Sequence, residues 1–146
     1  MEIKKASLDD LELIVPLFDA YRVFYEQNSD CDAARIFLKE RFLRNETLLL
    51  LAMDNGKPIG FTQLYTTFSS VSMQPIYILN DLFVISESRK KGVGEALLNE
   101  AKEYCKKAGY KGLALETAVS NPAQKLYERL GWVKDESYLH YFWSNT

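Results

Sequence analysis

The sequence predicts a single α/β domain in which one mixed sheet is flanked by helices. Three observations favour this class: the chain has 146 residues, 47% of them are apolar, and strand and helix periodicities follow one another without an internal repeat. The predicted element order is β-α-α-β-β-β-α-β-α-β. Because no linker-like segment interrupts this order, residues 1–146 are expected to form one domain.

The first third of the chain is predicted to hold one short strand and two helices. Residues 1–5 form the strand, and Ser7 followed by Asp10 has the pattern of a capping box that opens the first helix. Pro16 lacks a backbone donor and is expected to bend that helix. Apolar residues at helical spacing then predict a second helix over residues 33–45.

A hairpin and a central strand are predicted next. The leucine-rich residues 47–53 and the following residues 57–68 are separated by a turn that contains Asn55 and Gly56, the pair most typical of tight hairpins. Residues 74–84 form a further strand, whose last part is apolar at every position and is therefore expected to lie inside the sheet.

Helices and strands are expected to alternate in the last third of the chain. An amphipathic pattern predicts a long helix over residues 93–108, followed by a strand over residues 112–118. Asn-Pro at one end and glycine at the other predict a helix over residues 121–131. Two closing strands are predicted at residues 132–133 and 138–143.

The composition excludes several classes of function. A net charge of −2 and a pI near 5.5 give no basis for nucleic-acid binding, and no apolar stretch reaches membrane-spanning length, so a cytoplasmic protein is expected. Cys31 and Cys105 lie too far apart in sequence to suggest a metal site or a disulfide framework. His140 is the single histidine, which weakens a Ser-His-Asp mechanism.

A basic, glycine-containing loop between a strand and a helix carries the strongest chemical signal. There, backbone N–H groups and the positive end of the helix can converge on a phosphate, and glycines permit close approach. An ordinary strand-to-helix turn with solvated basic residues is the structural alternative. The loop lacks a P-loop's Gly-Lys-Ser/Thr, and Leu97 stands at the third glycine position of a dinucleotide fingerprint. Its residues are Arg89, Lys90, Lys91, Gly92, Val93 and Gly94.

Two sequence blocks resemble the GNAT acetyltransferase superfamily. The first is Leu82-Phe83-Val84 followed by Arg89-x-x-Gly92-x-Gly94, and the second is the stretch from Pro122 to Trp132 that contains Tyr127. The specific motifs span about residues 79–133. The resemblance implies a central, twisted, mixed but mostly antiparallel sheet flanked by about four helices.

The resemblance also implies that the cofactor is acetyl-CoA. The acetyl group would pass directly to an amine in a ternary complex, without an acyl-enzyme. An asparagine commonly contributes to cofactor binding in the family, and here either Ser120 or Asn121 could fill that place. The implied cofactor-binding residues are Leu82, Phe83, Val84, Arg89, Lys90, Lys91, Gly92, Val93, Gly94, Glu95, Ala96, Asn121, Ala123 and Tyr127.

Tyr127 corresponds to the family's usual general acid, which protonates the departing thiolate. The general base is left open between Glu116, near the end of the strand that precedes Tyr127, and Asp81, on the strand before the loop. A structural role is at least as plausible for each carboxylate. Polyamine-acetylating relatives carry a glutamate where this chain has Asn80, which argues against a diamine substrate.

The acceptor is expected to be a primary amine of a small molecule or peptide. By resemblance, Tyr21, Arg22, Tyr25 and Asn80 would line its site, together with the aromatic run at residues 138–143. Aromatic rings favour an ammonium, whereas Arg22 favours a carboxylate-bearing or phosphorylated acceptor. A homodimer is expected from the family, with the carboxyl-terminal strand as a candidate pairing edge. The alternatives are a non-catalytic acyl-CoA-sensing or interaction module and a nucleotide-binding domain of another superfamily.

Overall fold

A computed structural model describes residues 1–146, and its sheet confirms the predicted fold class. Five strands lie side by side in chain order, and neighbouring strands are antiparallel except for the last two, which are parallel. The backbone divides into two units, residues 1–116 and residues 117–146. The elements are β1 Glu2–Lys5, α1 Leu11–Phe24, α2 Cys31–Leu43, β2 Leu48–Asp54, β3 Lys57–Ser69, β4 Gln74–Val84, α3 Val93–Ala108, β5 Leu113–Ala114 and α4 Gln124–Arg129.

The predicted capping box opens the helical part of the first unit. The backbone N–H of Ser7 donates to Asp10 Oδ2 at 2.9 Å, and the N–H of Asp9 donates to Ser7 Oγ at 3.3 Å. A single 3₁₀ turn follows, and α1 begins at Leu11. The helix runs through Pro16 as one element, with that proline on its exposed side. No helix in the structure combines the length and the apolar character that crossing a membrane requires.

The buried carboxylate of Asp19 fixes the connection between α1 and α2. It accepts hydrogen bonds from Ser29 Oγ and from the N–H of Asp30, each at 2.7 Å, and these bonds lower the pKa of Asp19. Asp30 in turn caps α2 by accepting from the N–H of Ala33 at 3.0 Å. The loop is therefore held by side chains whose partners lie about ten residues apart.

The hairpin is confirmed. Asn55 and Gly56 have φ values of 50° and 77°, the left-handed pair that a tight hairpin with right-handed strand twist requires. The six residues 48–53 of β2 are all buried, because other parts of the chain cover both faces of the sheet at this strand. This strand forms the centre of the core beneath α1 and α3.

A β-bulge in β4 changes the edge of the sheet. Gln63 pairs with Asp81 while Leu64 pairs with Leu79, so Asn80 is an extra residue on β4. Pairing between β4 and β5 covers only two residue pairs and ends at Ile78, directly before the bulge. The predicted strand over residues 112–118 is therefore wrong beyond Ala114, because the bulge turns β4 away from the ladder.

The second unit contains one short helix and no strand. Asn121 Oδ1 accepts from the N–H of Ala123 at 2.9 Å, and α4 begins three residues after Asn121. Gly131, at φ 90°, follows the helix end as predicted. The predicted strands at residues 132–133 and 138–143 are wrong. Their β-forming composition is real, but a strand exists only where a neighbouring backbone pairs with it.

Candidate active site

The amino end of α3 offers unpaired backbone donors. Gly92 is the N-cap residue, with φ 82° and no side-chain cap, and its carbonyl accepts the first helical bond from Ala96 N–H at 3.0 Å. The N–H groups of Val93 and Gly94 therefore have no carbonyl partner within the helix. Lys90 is also left-handed, with φ 61°. Together with the helix dipole, this arrangement suits an anion.

Gly92 leaves space that a side chain would fill. A Cβ built there meets no protein atom within 4 Å, so the backbone at this point is open to a ligand. Lys90 and Lys91 beside it are exposed and can bring positive charge to the same place. The open space at Gly92 and the charges of Lys90 and Lys91, all in the first unit, therefore suit the phosphate groups of coenzyme A.

The edge of β4 that faces β5 is open over its last six residues. On one side Leu82, Phe83 and Val84 pair with β3. On the other side the pairing with β5 ends at Ile78, so residues 79–84 have no strand partner there. Backbone N–H and C=O groups along such an edge can pair with an extended ligand that carries amides.

Arg89 joins the loop to the end of β4. Its Nε donates to the carbonyl of Val84 at 2.8 Å, and its guanidinium lies 5.1 Å from the ring centroid of Phe24 and 5.6 Å from that of Phe83. The side chain predicted as a phosphate ligand thus also connects the end of α1 to β4. Sequence reasoning did not identify Phe24 as part of this contact.

A buried polar network surrounds Asp81. The Asp81 carboxylate is 5% exposed; it accepts from Gln63 Nε2 at 2.8 Å and from Asn80 Nδ2 at 3.0 Å. Thr47 Oγ1 donates to Gln63 Oε1 at 2.7 Å, and Thr62 Oγ1 donates to the Asp81 carbonyl at 2.8 Å. The carboxylate is held in place by amide donors rather than by a cation.

Two tyrosines that interact with Asp81 have strongly raised pKa values. Burial raises the pKa of Tyr21, and the negative charge of Asp81 and a hydrogen bond to it raise that pKa further. Burial and then the charge of Asp81 likewise raise the pKa of Tyr65. Both hydroxyls therefore stay protonated at physiological pH, and that of Tyr21 donates to Asp81.

An aromatic cluster extends from Tyr21 towards the exposed end of α1. The Tyr21 ring lies 5.1 Å from Tyr25 and 6.0 Å from Phe83 in edge-to-face arrangements. Tyr25 is half exposed, whereas Arg22 is turned to the loop, where its Nη1 donates to the carbonyl of Asn28 at 3.0 Å. Tyr21 and Tyr25 are thus in ring contact, and Arg22 has a structural partner.

The other predicted site residues lie just after β5 and in the second unit. Glu116 is exposed and lies two residues beyond the end of β5. Within the second unit, Tyr127 is half-buried on α4, its ring centroid 6.0 Å from that of Trp132, and its carbonyl accepts from the N–H of Trp132 at 3.0 Å. Asn121 already uses its side-chain oxygen on the N–H of Ala123, whereas the neighbouring Ser120 is exposed.

Sequence reasoning missed the residues that hold Asp81. Thr62 and Gln63 are polar residues in the middle of a strand that is otherwise mostly apolar, and both are fully buried. Such a pair inside a buried strand indicates a satisfied hydrogen-bond network, which was the available signal. Thr47 and Tyr65 gave no comparable signal.

Comparisons with known proteins agree with this geometry. The sequence pattern of the Acetyltransferase (GNAT) family matches residues 14–132. The uncharacterized N-acetyltransferase YhfO of Bacillus subtilis (strain 168) is 50% identical over 142 residues, which cover 97% of this chain and 95% of YhfO. A crystal structure of a probable acetyltransferase superposes with a TM-score of 0.95 at 36% identity, covering 100% of this chain and 99% of that one. An aminoglycoside N-acetyltransferase AAC(6')-Iy in complex with CoA shares the fold at a TM-score of 0.80 and 22% identity, over 97% of this chain and 93% of that one.

Proposed function

The chain is an acetyltransferase that belongs to the GNAT family, and from this premise we propose that it transfers an acetyl group from acetyl-CoA directly to a primary amine. The amine would belong to a small molecule or a peptide. The open amino end of α3 at Gly92 is the observation that carries the proposal, because uncapped N–H groups there suit a pyrophosphate.

The cofactor site would combine that helix end with the open edge of β4. Backbone groups of residues 92–96, with Lys90 and Lys91, would bind the phosphates, and residues 82–84 would pair with the amide-bearing arm. By family resemblance alone, we also propose Asn121 or Ser120, and Ala123, as cofactor-binding residues. Acetyl-CoA supplies an acetyl group activated as a thioester, and a β4 N–H group would stabilise the negative charge that develops on its carbonyl oxygen.

Asp81 supports an amine acceptor. It is a buried carboxylate whose hydrogen-bond donors, the Gln63 and Asn80 amides and the Tyr21 hydroxyl, are uncharged. It therefore lacks the cation that usually accompanies a buried negative charge. An arriving ammonium would supply that cation, with Tyr21 and Tyr25 offering aromatic faces. We propose Asp81 as the group that orients the amine, and Asp81 or Glu116 as the acceptor of its proton.

Tyr127 is proposed as the general acid by family resemblance. As the new C–N bond forms and the C–S bond breaks, the amine loses a proton and the departing thiolate gains one. The Tyr127 hydroxyl would donate that second proton to the sulfur. No side chain is required to form a covalent intermediate with the acetyl group.

The test is acetyl-CoA titration calorimetry followed by a thiol-release assay over an amine panel. Binding of acetyl-CoA, with thiol release that depends on a primary amine, is the expected result. Tyr127→Phe should keep acetyl-CoA affinity within about twofold, and it should lower turnover by about 100-fold or more because it removes the donated proton. Absence of acetyl-CoA binding to the parent protein would refute the proposal.

A non-catalytic acyl-CoA-sensing module is the second candidate. It is favoured by the Asp81 carboxylate, both of whose oxygens accept from side-chain amides and are poorly placed to take a proton. Acetyl-CoA binding without thiol release for any amine would support this candidate. We further propose that the protein acts as a homodimer; its single-domain organisation and cytoplasmic location stay predictions of the sequence.

A further inference from the structure

Three polar side chains of the first unit form a chain of hydrogen bonds across the sheet. Thr47 directly precedes β2, Gln63 lies on β3 and Asp81 lies on β4. Thr47 Oγ1 donates to Gln63 Oε1 at 2.7 Å, and Gln63 Nε2 donates to Asp81 Oδ2 at 2.8 Å. We call these three residues the polar row. Gln63 thus links a hydroxyl in the α2–β2 connection to the carboxylate that we propose orients the amine.

The polar row lies on one face of the sheet. Gln63 pairs with Leu49 of β2 on one side and with Asp81 on the other, and directly paired residues point to the same face. Leu49 packs in the core with residues of α1 and α2. The polar row therefore lies on the face that these two helices cover, where the Tyr21 hydroxyl of α1 donates to Asp81.

Stability does not explain why Gln63 is buried. Its side chain is 0% exposed in the middle of a mostly apolar strand, where a leucine or methionine would avoid the cost of taking an amide out of water. A buried hydrogen bond contributes little net stability, and apolar groups of the same shape can replace both of its partners at almost no cost. A buried polar row that ends on a carboxylate therefore fits a requirement to hold that carboxylate in one orientation.

The two ends of the Gln63 amide differ in what they can bind, because Nε2 is a donor and Oε1 is an acceptor. The Asp81 carboxylate accepts from Nε2, which leaves Oε1 for a donor, and the Thr47 hydroxyl is that donor. Without this hydroxyl, a buried oxygen would lose its partner and the amide would be anchored at one end only. The orientation of the Asp81 carboxylate thus depends on Thr47 through Gln63.

The donors to Asp81 differ in the part of the fold to which they tie it. Asn80 adjoins Asp81 in the chain and donates to Oδ1 at 3.0 Å, and Tyr21 ties the carboxylate to α1. Gln63 ties it to β3, which pairs with β4 along the residues where acetyl-CoA is proposed to bind. The Gln63 bond therefore fixes the carboxylate relative to the proposed position of the thioester, the geometry on which a transfer reaction depends.

We propose that Thr47 and Gln63 are positioning residues for acetyl transfer, which together hold the Asp81 carboxylate where it orients the acceptor amine. Neither residue is required to touch the substrate, since both act through Asp81. The inference rests on the proposed function and on the role proposed there for Asp81. It adds to the acceptor side two residues that come from the α2–β2 connection and from β3.

Steady-state kinetics with the panel amine of highest turnover tests the proposal. Thr47→Val keeps the shape of the side chain but removes the donor. It should lower kcat/KM for the amine about 10-fold, mainly through KM, because misplacement of a group by about 1 Å can cost about 100-fold. Thr47→Ser keeps a hydroxyl and should restore kcat/KM to near the parent value. Both variants should keep the acetyl-CoA Kd of the parent.

A control variant separates positioning from stability. Ser7→Ala removes the hydroxyl that caps the first helical turn, at the opposite end of α1 from Tyr21. It should lower resistance to urea without raising KM for the amine. Thr47→Ala removes the same donor as Thr47→Val without the added methyl group, and it repeats the comparison in a smaller side chain.

A double-mutant cycle tests whether Thr47 acts through Asp81. Asp81→Asn removes the charge and should lower kcat/KM for the amine more than Thr47→Val does. Thr47→Val added to Asp81→Asn should then have little further effect, whereas effects of independent residues would multiply. A merely structural role of Thr47 would lower activity equally in both backgrounds.

The activity of the parent protein separates this inference from the proposed function. Absence of thiol release with every amine would overturn both. Amine-dependent thiol release by the parent, with an unchanged KM in Thr47→Val, would overturn this inference alone. The same holds if Thr47→Ser is as impaired as Thr47→Val, or if the effects of the cycle multiply.

Discussion

Substitution of Gly92 by alanine tests the proposed phosphate-binding site directly. Gly92 has φ 82°, and a Cβ built on it meets no protein atom within 4 Å. Three further glycines share both properties, namely Gly56, Gly109 and Gly131. Two of them serve as controls: Gly56 in the hairpin turn, with φ 77°, and Gly109 after α3, with φ 70°. The three alanine variants are therefore matched in backbone strain, and only one of them lies at the amino end of α3.

The expected losses of stability are similar for the three variants. An L-residue held in the left-handed region costs about 1–2 kcal/mol of unfolding free energy. For a chain of this length, each kcal/mol corresponds to about 2–4 °C in Tm. None of the three sites adds a steric clash, so Gly92→Ala should unfold close to Gly56→Ala in urea.

The losses of acetyl-CoA affinity should differ. If the phosphates bind as proposed, a Cβ at Gly92 would occupy the space through which a phosphate reaches the N–H groups of Val93 and Gly94. Loss of one such charge-assisted hydrogen bond costs about 1.5–3 kcal/mol, which is about 10- to 150-fold in Kd. Gly56→Ala and Gly109→Ala should keep the parent Kd in titration calorimetry. Equal affinity of Gly92→Ala and Gly56→Ala would show that the phosphates bind elsewhere.

Two further predictions concern stability. A Cβ on Gly60 would lie 2.9 Å from the Phe83 carbonyl oxygen, so Gly60→Ala should cost about 1–3 kcal/mol in urea unfolding, whereas Gly112→Ala, with open space, should cost little; equal losses would contradict the clash. Because hydrogen bonds from Ser29 and from the backbone lower the folded-state pKa of Asp19, its contribution is full above the ordinary value of 3.8 and is lost as pH falls through the folded pKa. Asp19→Asn should therefore be less stable than the parent at neutral pH, with a difference that shrinks below about pH 4; a constant difference would refute this.

Local chemistry explains which elements were predictable from sequence. The hairpin at Asn55 and Gly56 and the capping box at Ser7 depend on residues that act within a few positions of one another. The ends of β5 and the state of residues 138–143 depend instead on which backbone lies alongside. Sequence patterns report the tendency to form a strand but not the presence of its partner, and the three wrong strand predictions share this cause.

The same limit applies to the candidate site. Its main feature is the hydrogen-bond network around Asp81, which joins residues far apart in sequence and therefore forms no sequence motif. Gln63 and Asp81 are 18 residues apart, and their contact depends on the register shift that makes Asn80 a bulge. In that bulge the Asn80 amide donates to Asp81, whereas a glutamate there would place a second carboxylate against the first. Asn80 therefore holds the Asp81 carboxylate in place, whereas a glutamate at position 80 would add a second carboxylate. If Asp81 orients the acceptor as proposed, a site with one buried carboxylate should favour an amine that carries a single positive charge near the reacting nitrogen over a diamine that needs two.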